Sequence, residues 1–142
     1  MDVFVYGTLT APDRVGELLD SFVFVGAATL QGLHAVEGQY PTLAPGGRVA
    51  GRLLRTDEID RLDRYEGVDR GLYVRISVPV EGVRSDEAAV YVGDPQRLGV
   101  DVEWPGTGPF RDRVAEYIAT ENVRIVHTPS NSSGGDYDSN SG

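Results

Sequence analysis

The chain has 142 residues and a mass of 15.4 kDa, enough for one domain that buries about two-thirds of the surface its unfolded form exposes. It contains no cysteine, so disulfides, thiolate metal sites and cysteine nucleophiles are excluded. The formal net charge is −9, and such an excess of carboxylate repels phosphate backbones and anionic headgroups, which excludes nucleic acid and membrane as partners.

In chain order, Val3 to Val5 predicts a short strand that stops at Tyr6 and Gly7. A glycine there serves either a bare tight turn or a loop whose backbone approaches a ligand. Asp13 is placed to cap a helical segment carrying Val15, Leu18 and Leu19. Phe22 to Val25 and Ala28 to Val36 predict strands interrupted by glycines, and "YPTLAPGG", Tyr40 to Gly47, predicts irregular structure before a strand at Arg48 to Arg55. Asp57 is expected to cap a short helix in which Ile59, Leu62 and Tyr65 or Glu66 recur at spacings of three and four, and Gly67 ends it.

The cleanest alternation follows. In "GLYVRISVPVEG", Leu72, Val74, Ile76, Val78 and Val80 occupy one face of a strand, and Tyr73, Arg75, Ser77, Pro79 and Glu81 the other. "EAAVYV", Glu87 to Val92, predicts its hairpin partner. A Gly/Pro-rich loop then leads to a helix from about Pro109 to Thr120 and a last strand at Val123 to Val126. Many short antiparallel strands with two or three small helices define an α+β domain with a curled or barrel-like sheet.

Few catalytic constellations are open to this chain. His34 and His127 share no ligand-like spacing, GxSxG is absent, and Gly106-Thr107-Gly108 lacks the third glycine of a dinucleotide turn, so no metal site and no cofactor are expected. What remains is carboxylate chemistry. Glu66 ends its helix, where aligned carbonyls disfavour the anion, but that dipole is worth only about 0.3–1 kcal/mol, under one pKa unit. Burial in an apolar pocket raises a carboxyl by several units and brings its proton exchange near neutrality; otherwise Glu66 is an ordinary exposed acid at a helix end.

Four stretches taken together decide the reading. "VYGTL" at the start, "YP" at Tyr40-Pro41, "LDRYEG" at Leu62 to Gly67 and "YVR" at Tyr73 to Arg75 resemble the gamma-glutamylcyclotransferase family, particularly its AIG2-like and gamma-glutamylamine branch, over roughly Val3 to Val92. The resemblance implies a small mixed, mostly antiparallel β-barrel with flanking short helices. It also implies an enzyme that cleaves a small-molecule gamma-glutamyl amide by internal cyclisation, releasing 5-oxoproline and an amine or amino acid, without metal or cofactor. Glu66 matches the family's catalytic glutamate. Tyr6, Gly7, Thr8 and Leu9 match the loop that cradles the glutamyl group through backbone N–H donors, Tyr73 matches an aromatic position beside the site, and Tyr40 lines the pocket. Arg75 pairs either with a substrate carboxylate or, in the preferred reading, with a neighbouring acid. The loop reads "YGTL" rather than the "YGSNL" of the family's glutathione-related branch, which favours gamma-glutamylamines or an unassigned relative over gamma-glutamyl amino acids.

Two further readings compete: a non-catalytic module of the same family that captures a small carboxylate, and an adaptor whose acidic tail recruits a partner. That tail, residues 127–142, is a Ser/Gly/Asn/Asp tract expected to be disordered, with the folded domain at residues 1–126. Met1 is followed by Asp2 rather than a basic segment and no apolar run approaches eighteen residues, so a cytoplasmic location is expected. All thirteen basic residues are arginine, which with the net charge fits a protein that tolerates high salt, a halophilic trait. Oligomeric state is left open by the sequence.

Overall fold

A computed structural model describes residues 1–37, 41–81 and 86–128. Six strands close into a mixed barrel: β1 (Asp2–Val5), β2 (Val23–Val36), β3 (Thr42–Arg55), β4 (Tyr73–Glu81), β5 (Asp86–Gly93) and β6 (Arg124–His127). Around the barrel the strands run β1-β3-β2-β6-β4-β5. The β1–β5 and β4–β6 pairings are parallel and the others antiparallel. Among the described residues four helices flank it: α1 (Pro12–Leu18), α2 (Ile59–Glu66), α3 (Pro95–Leu98) and α4 (Phe110–Thr120).

The glycines that predicted breaks are bends instead. β2 is a single strand of 14 residues whose pairing with β3 slips between Phe24 and Gly26 and again between Gln31 and Leu33. Each slip is a bulge that sharpens the local twist, which lets a long strand wrap around a small barrel. Gly32 adopts φ 106° and a Cβ there would come within 2.8 Å of Val123 Cγ2, so the bend also leaves room for the residue that leads into β6. β3 likewise starts at Thr42 and runs through Pro45, Gly46 and Gly47, correcting the expectation of irregular structure. Proline is tolerated because β1 pairs with β3 only along Arg52–Arg55, so Pro45 has a ladder partner on one side alone.

Side-chain alternation divides the core in two. Phe4, Leu30, Leu53, Val78 and Val90 point into the barrel, where Val114 and Ile118 of α4 pack with them. Their strand neighbours Val3, Val5, Leu54, Tyr73 and Tyr91 point outward and are covered by α1 and α2 through Val15, Leu19 and Leu62. Burying Leu62 completely contributes about 1.5–3 kcal/mol and fixes α2 against the wall.

Helix ends depart from expectation in detail. Ala11, not Asp13, is the N-cap of α1, because Pro12 takes the first helical position and leaves Asp13 in the first turn. Asp57 does not cap α2; the N-cap is Glu58, with no side-chain cap hydrogen bond, and Thr56 Oγ1 accepts the Glu58 N–H at 3.0 Å just ahead of the helix. Glu58 Oε1 accepts the N–H groups of Asp20 and Ser21 at 2.8 and 3.0 Å, tying the end of α1 to the start of α2. The Ser21 bond above all holds its carboxyl below the usual range. The 93–108 loop contains α3, signalled by Asp94 at the N-cap, Pro95 after it and Gly99 past the end. β6 starts at Arg124 and extends through His127, one residue past the expected strand, and the Thr128 N–H donates to Ala27 O at 3.0 Å. The rest of the expected tail lies outside the described residues.

Candidate active site

β1 delivers the chain to one end of the barrel, where Gly7 (φ 69°) turns it into a single 3-10 turn, Gly7–Thr10. Thr10 Oγ1 donates to Gly7 O at 2.6 Å, and Arg52 Nη1 reaches from β3 to Thr10 O at 2.8 Å. Arg52 is itself seated over the Phe24 ring, 3.9 Å from its centroid, so the turn is pinned from outside. The first amides of such a turn have no carbonyl partner within it and are available as donors.

Opposite this turn, α2 ends at Glu66 because Gly67 adopts the left-handed conformation (φ 73°, ψ 35°) and its N–H caps the carbonyls of Asp63 and Arg64. A cavity of about 460 Å³ separates the two elements, and Tyr6, Gly7, Leu9, Glu66 and Tyr73 all line it. Thr8 sits between Gly7 and Leu9 in the same turn. Tyr40 lies outside the described residues, while its neighbour Pro41 lines the cavity. Of the expected site residues, the fold therefore brings Tyr6, Gly7, Leu9, Glu66 and Tyr73 around one hollow.

Glu66 is partly buried, and desolvation pushes its carboxyl up from 4.5 to about 7. Burial rather than the helix dipole supplies the shift. The Tyr6 hydroxyl is driven well above the usual phenol range, first by burial, then by the Glu66 charge and by Tyr73. It stays protonated, a neutral donor beside the acid. Tyr73 donates to Pro41 O at 2.6 Å, which commits its proton and locks its ring across the cavity.

Tyr91 escaped the sequence reading. It sits opposite Arg75 in the β4–β5 ladder, hence on the Tyr73 face, and it lines the cavity. Its hydroxyl donates to Asp63 Oδ1 at 2.7 Å, and Arg75 Nη1 lies 3.0 Å from Asp63 Oδ2. Arg75 thus forms the expected ion pair with a neighbouring acid. Asp63 precedes Glu66 by one turn of α2, so this pairing offsets a second negative charge on the same helix face. Only the register of the hairpin, invisible in "EAAVYV", brings Tyr91 there. Among the described residues, no group of three or more His, Cys, Asp or Glu side chains is placed to hold a metal ion. No helix in those residues is long and apolar enough to cross a membrane.

The barrel, the 3-10 turn after β1 and the glutamate at the end of α2 together define a class, and the sequence comparisons give it a family. The profile described as "Gamma-glutamyl cyclotransferase, AIG2-like" matches residues 3–108. The chain belongs to that family. AIG2-like protein A of Arabidopsis thaliana is 35% identical over 95 residues, covering 61% of this chain and 54% of that protein. The chain spans about half the length of the curated relatives it matches. A solved gamma-glutamyl cyclotransferase shares the fold with a TM-score of 0.55 at 24% identity over 66% of each chain. An uncharacterized protein from Homo sapiens gives 0.54 at 25% identity, also over 66% of each chain. The fold is therefore that of gamma-glutamyl cyclotransferases.

Proposed function

We propose that this protein cleaves gamma-glutamyl amides by intramolecular cyclisation, giving 5-oxoproline and a free amine or amino acid, with Glu66 as the proton-transfer group. One observation carries the reading: a carboxyl with a pKa of about 7 shares a cavity with the turn at Gly7–Leu9.

The α-nitrogen of the glutamyl group attacks its own γ-carbonyl carbon. The new C–N bond closes the five-membered lactam as the bond to the departing nitrogen breaks. The α-ammonium sheds two protons and the departing nitrogen gains two to leave as an ammonium ion, so none is consumed overall. A carboxyl half-protonated near pH 7 accepts one and returns it to the leaving group. In this reading the amides of the Gly7–Leu9 turn receive the glutamyl carboxylate or the developing oxyanion. The substrate brings its own nucleophile, and orienting it is worth about 7–11 kcal/mol, so this chemistry asks the protein for shape and one acid–base group.

Incubation with a panel of gamma-glutamyl amides while following 5-oxoproline tests this. Turnover is expected in the wild type and a loss of about 10²- to 10⁴-fold in Glu66→Gln, with far-UV circular dichroism unchanged. Binding of glutamate-like ligands with no 5-oxoproline formed would instead support the non-catalytic module.

A further inference from the structure

The residues around the cavity fall into two tiers. Phe4, Leu9, Tyr73 and Tyr91 are buried and form its floor, whereas Pro41, Tyr65 and Arg70 are exposed and form its rim. Arg70 is the cation of that lining. It sits on a second 3-10 turn, Val68–Arg70, held between two left-handed glycines, Gly67 and Gly71. The Arg70 N–H donates to Gly67 O at 3.0 Å and the Gly71 N–H to Val68 O at 3.1 Å, so the residue is presented from a fixed backbone.

Its guanidinium lies close to Glu66 in the chain yet does not neutralise it. A Cβ built on Gly67 would come within 2.9 Å of Arg70 Nη2, and one built on Gly71 within 3.0 Å of Arg97 Nη2, so two guanidiniums rest against this turn. Glu66 is raised by desolvation with no opposing lowering by a cation. Among the described residues neither Arg70 nor Arg97 is held by a side-chain hydrogen bond or an ion pair, whereas Arg75 is engaged by Asp63. The adjoining acid, Asp69, is exposed and does not line the cavity. In a chain of net charge −9, Arg70 at the cavity mouth, with Arg97 behind it against the same turn and neither one paired with an acid, forms a local positive field that favours an anion.

We propose that Arg70, supported by Arg97, reads a carboxylate on the departing half of the substrate, so that the protein prefers gamma-glutamyl α-amino acids to gamma-glutamyl amines. This rests on the cyclotransferase reading above. The floor of the cavity takes the glutamyl half, whose α-nitrogen must meet Glu66, and the leaving half therefore projects to the rim. In an α-amino acid the carboxylate is two bonds from the departing nitrogen, within reach of a guanidinium four residues beyond Glu66. Leu72 and Leu98, partly buried at the same rim, suit an apolar side chain on that amino acid. The preference runs against that expected from "YGTL", since the loop meets the glutamyl half and the rim meets the other.

Gamma-glutamyl-leucine and gamma-glutamyl-3-methylbutylamine differ only by that carboxylate, and their kcat/KM ratio is the measurement. The wild type is expected to favour the acid by about tenfold or more, the scale of a hydrogen bond to a charged group. The ratio should collapse toward one in Arg70→Met, stay intermediate in Arg70→Lys and fall less in Arg97→Met. In the wild type it should also shrink as salt screens the pair, a readout independent of any variant's folding. A ratio of one or below in the wild type, a ratio unchanged in Arg70→Met, or one indifferent to salt would overturn the assignment while leaving the cyclotransferase reading intact. Turnover of neither this pair nor any other gamma-glutamyl amide would overturn that reading, and this inference with it.

Discussion

Glu66 is legible as a helix-end acid, and its neighbours in "LDRYEG" mark the motif, but nothing local says whether its carboxyl is dry. The answer lies in side chains distant in sequence, Tyr6 just past β1 and Tyr73 and Tyr91 from the hairpin, which line the same cavity. The shift has a thermodynamic sign. The unfolded chain releases this proton near 4.5 whereas the folded protein keeps it until about 7. Between those values the folded state binds more protons, so stability from this group is full below pH 4.5 and declines as pH rises to 7, by up to about 3 kcal/mol. Glu66→Gln removes that slope. Urea titrations at pH 4.5 and 7.5 should show the variant gaining on the wild type with increasing pH, and an equal difference at both would mean an exposed acid. The kcat/KM profile should carry an acidic limb near pH 7, below which the base is already protonated.

At the scale of elements, α2 and the turn after it act as one bracket, with Gly67 as its joint. The Gly67 N–H caps α2 while its carbonyl accepts the N–H groups of Arg70 and Leu72, both at 3.0 Å. Gly67→Ala must adopt φ near 73° and place a methyl 2.9 Å from both Arg70 Nη2 and Leu72 Cδ1. A loss of about 1–2 kcal/mol in chemical denaturation is expected, together with a lower kcat/KM as Glu66 and Arg70 shift. Retained stability would show that another conformation serves as well. Periodicity found α2, β4 and β5 because their patterns are strong. It failed at β2 and β3, where glycine and proline read locally as breaks and act in the barrel as bulges and an edge position. Bends of this kind are chosen by closure of the sheet, which no window of neighbouring residues contains.

Across the whole molecule, charge is the dominant composition signal, and the fold distributes it unevenly. Several exposed arginines are matched to acids, such as Arg55 with Asp2 at 2.7 Å and Arg61 with Asp20 at 3.2 Å. A net charge of −9 nevertheless leaves carboxylates facing one another in the compact state, a self-repulsion that the expanded chain relieves. Screening should therefore stabilise the protein: raising salt from about 0.05 M to about 1 M, where the Debye length falls to about 3 Å, is expected to lift the melting temperature by on the order of 5 °C. A melting curve indifferent to salt would remove the halophilic reading.

On its own the sequence determined the class of fold, because strand faces are local properties of neighbouring residues, and through four short motifs it determined the family and singled out Glu66 and the Tyr6–Leu9 turn as candidates. The tertiary structure alone decided which side chains surround that acid. Tyr91 joins through hairpin register, Asp63 is paired by an arginine from another element, and Arg70 reaches the rim through two left-handed glycines. Desolvation is a property of everything packed around a group, so the proton affinity of Glu66 is set by barrel closure rather than by its own stretch of chain.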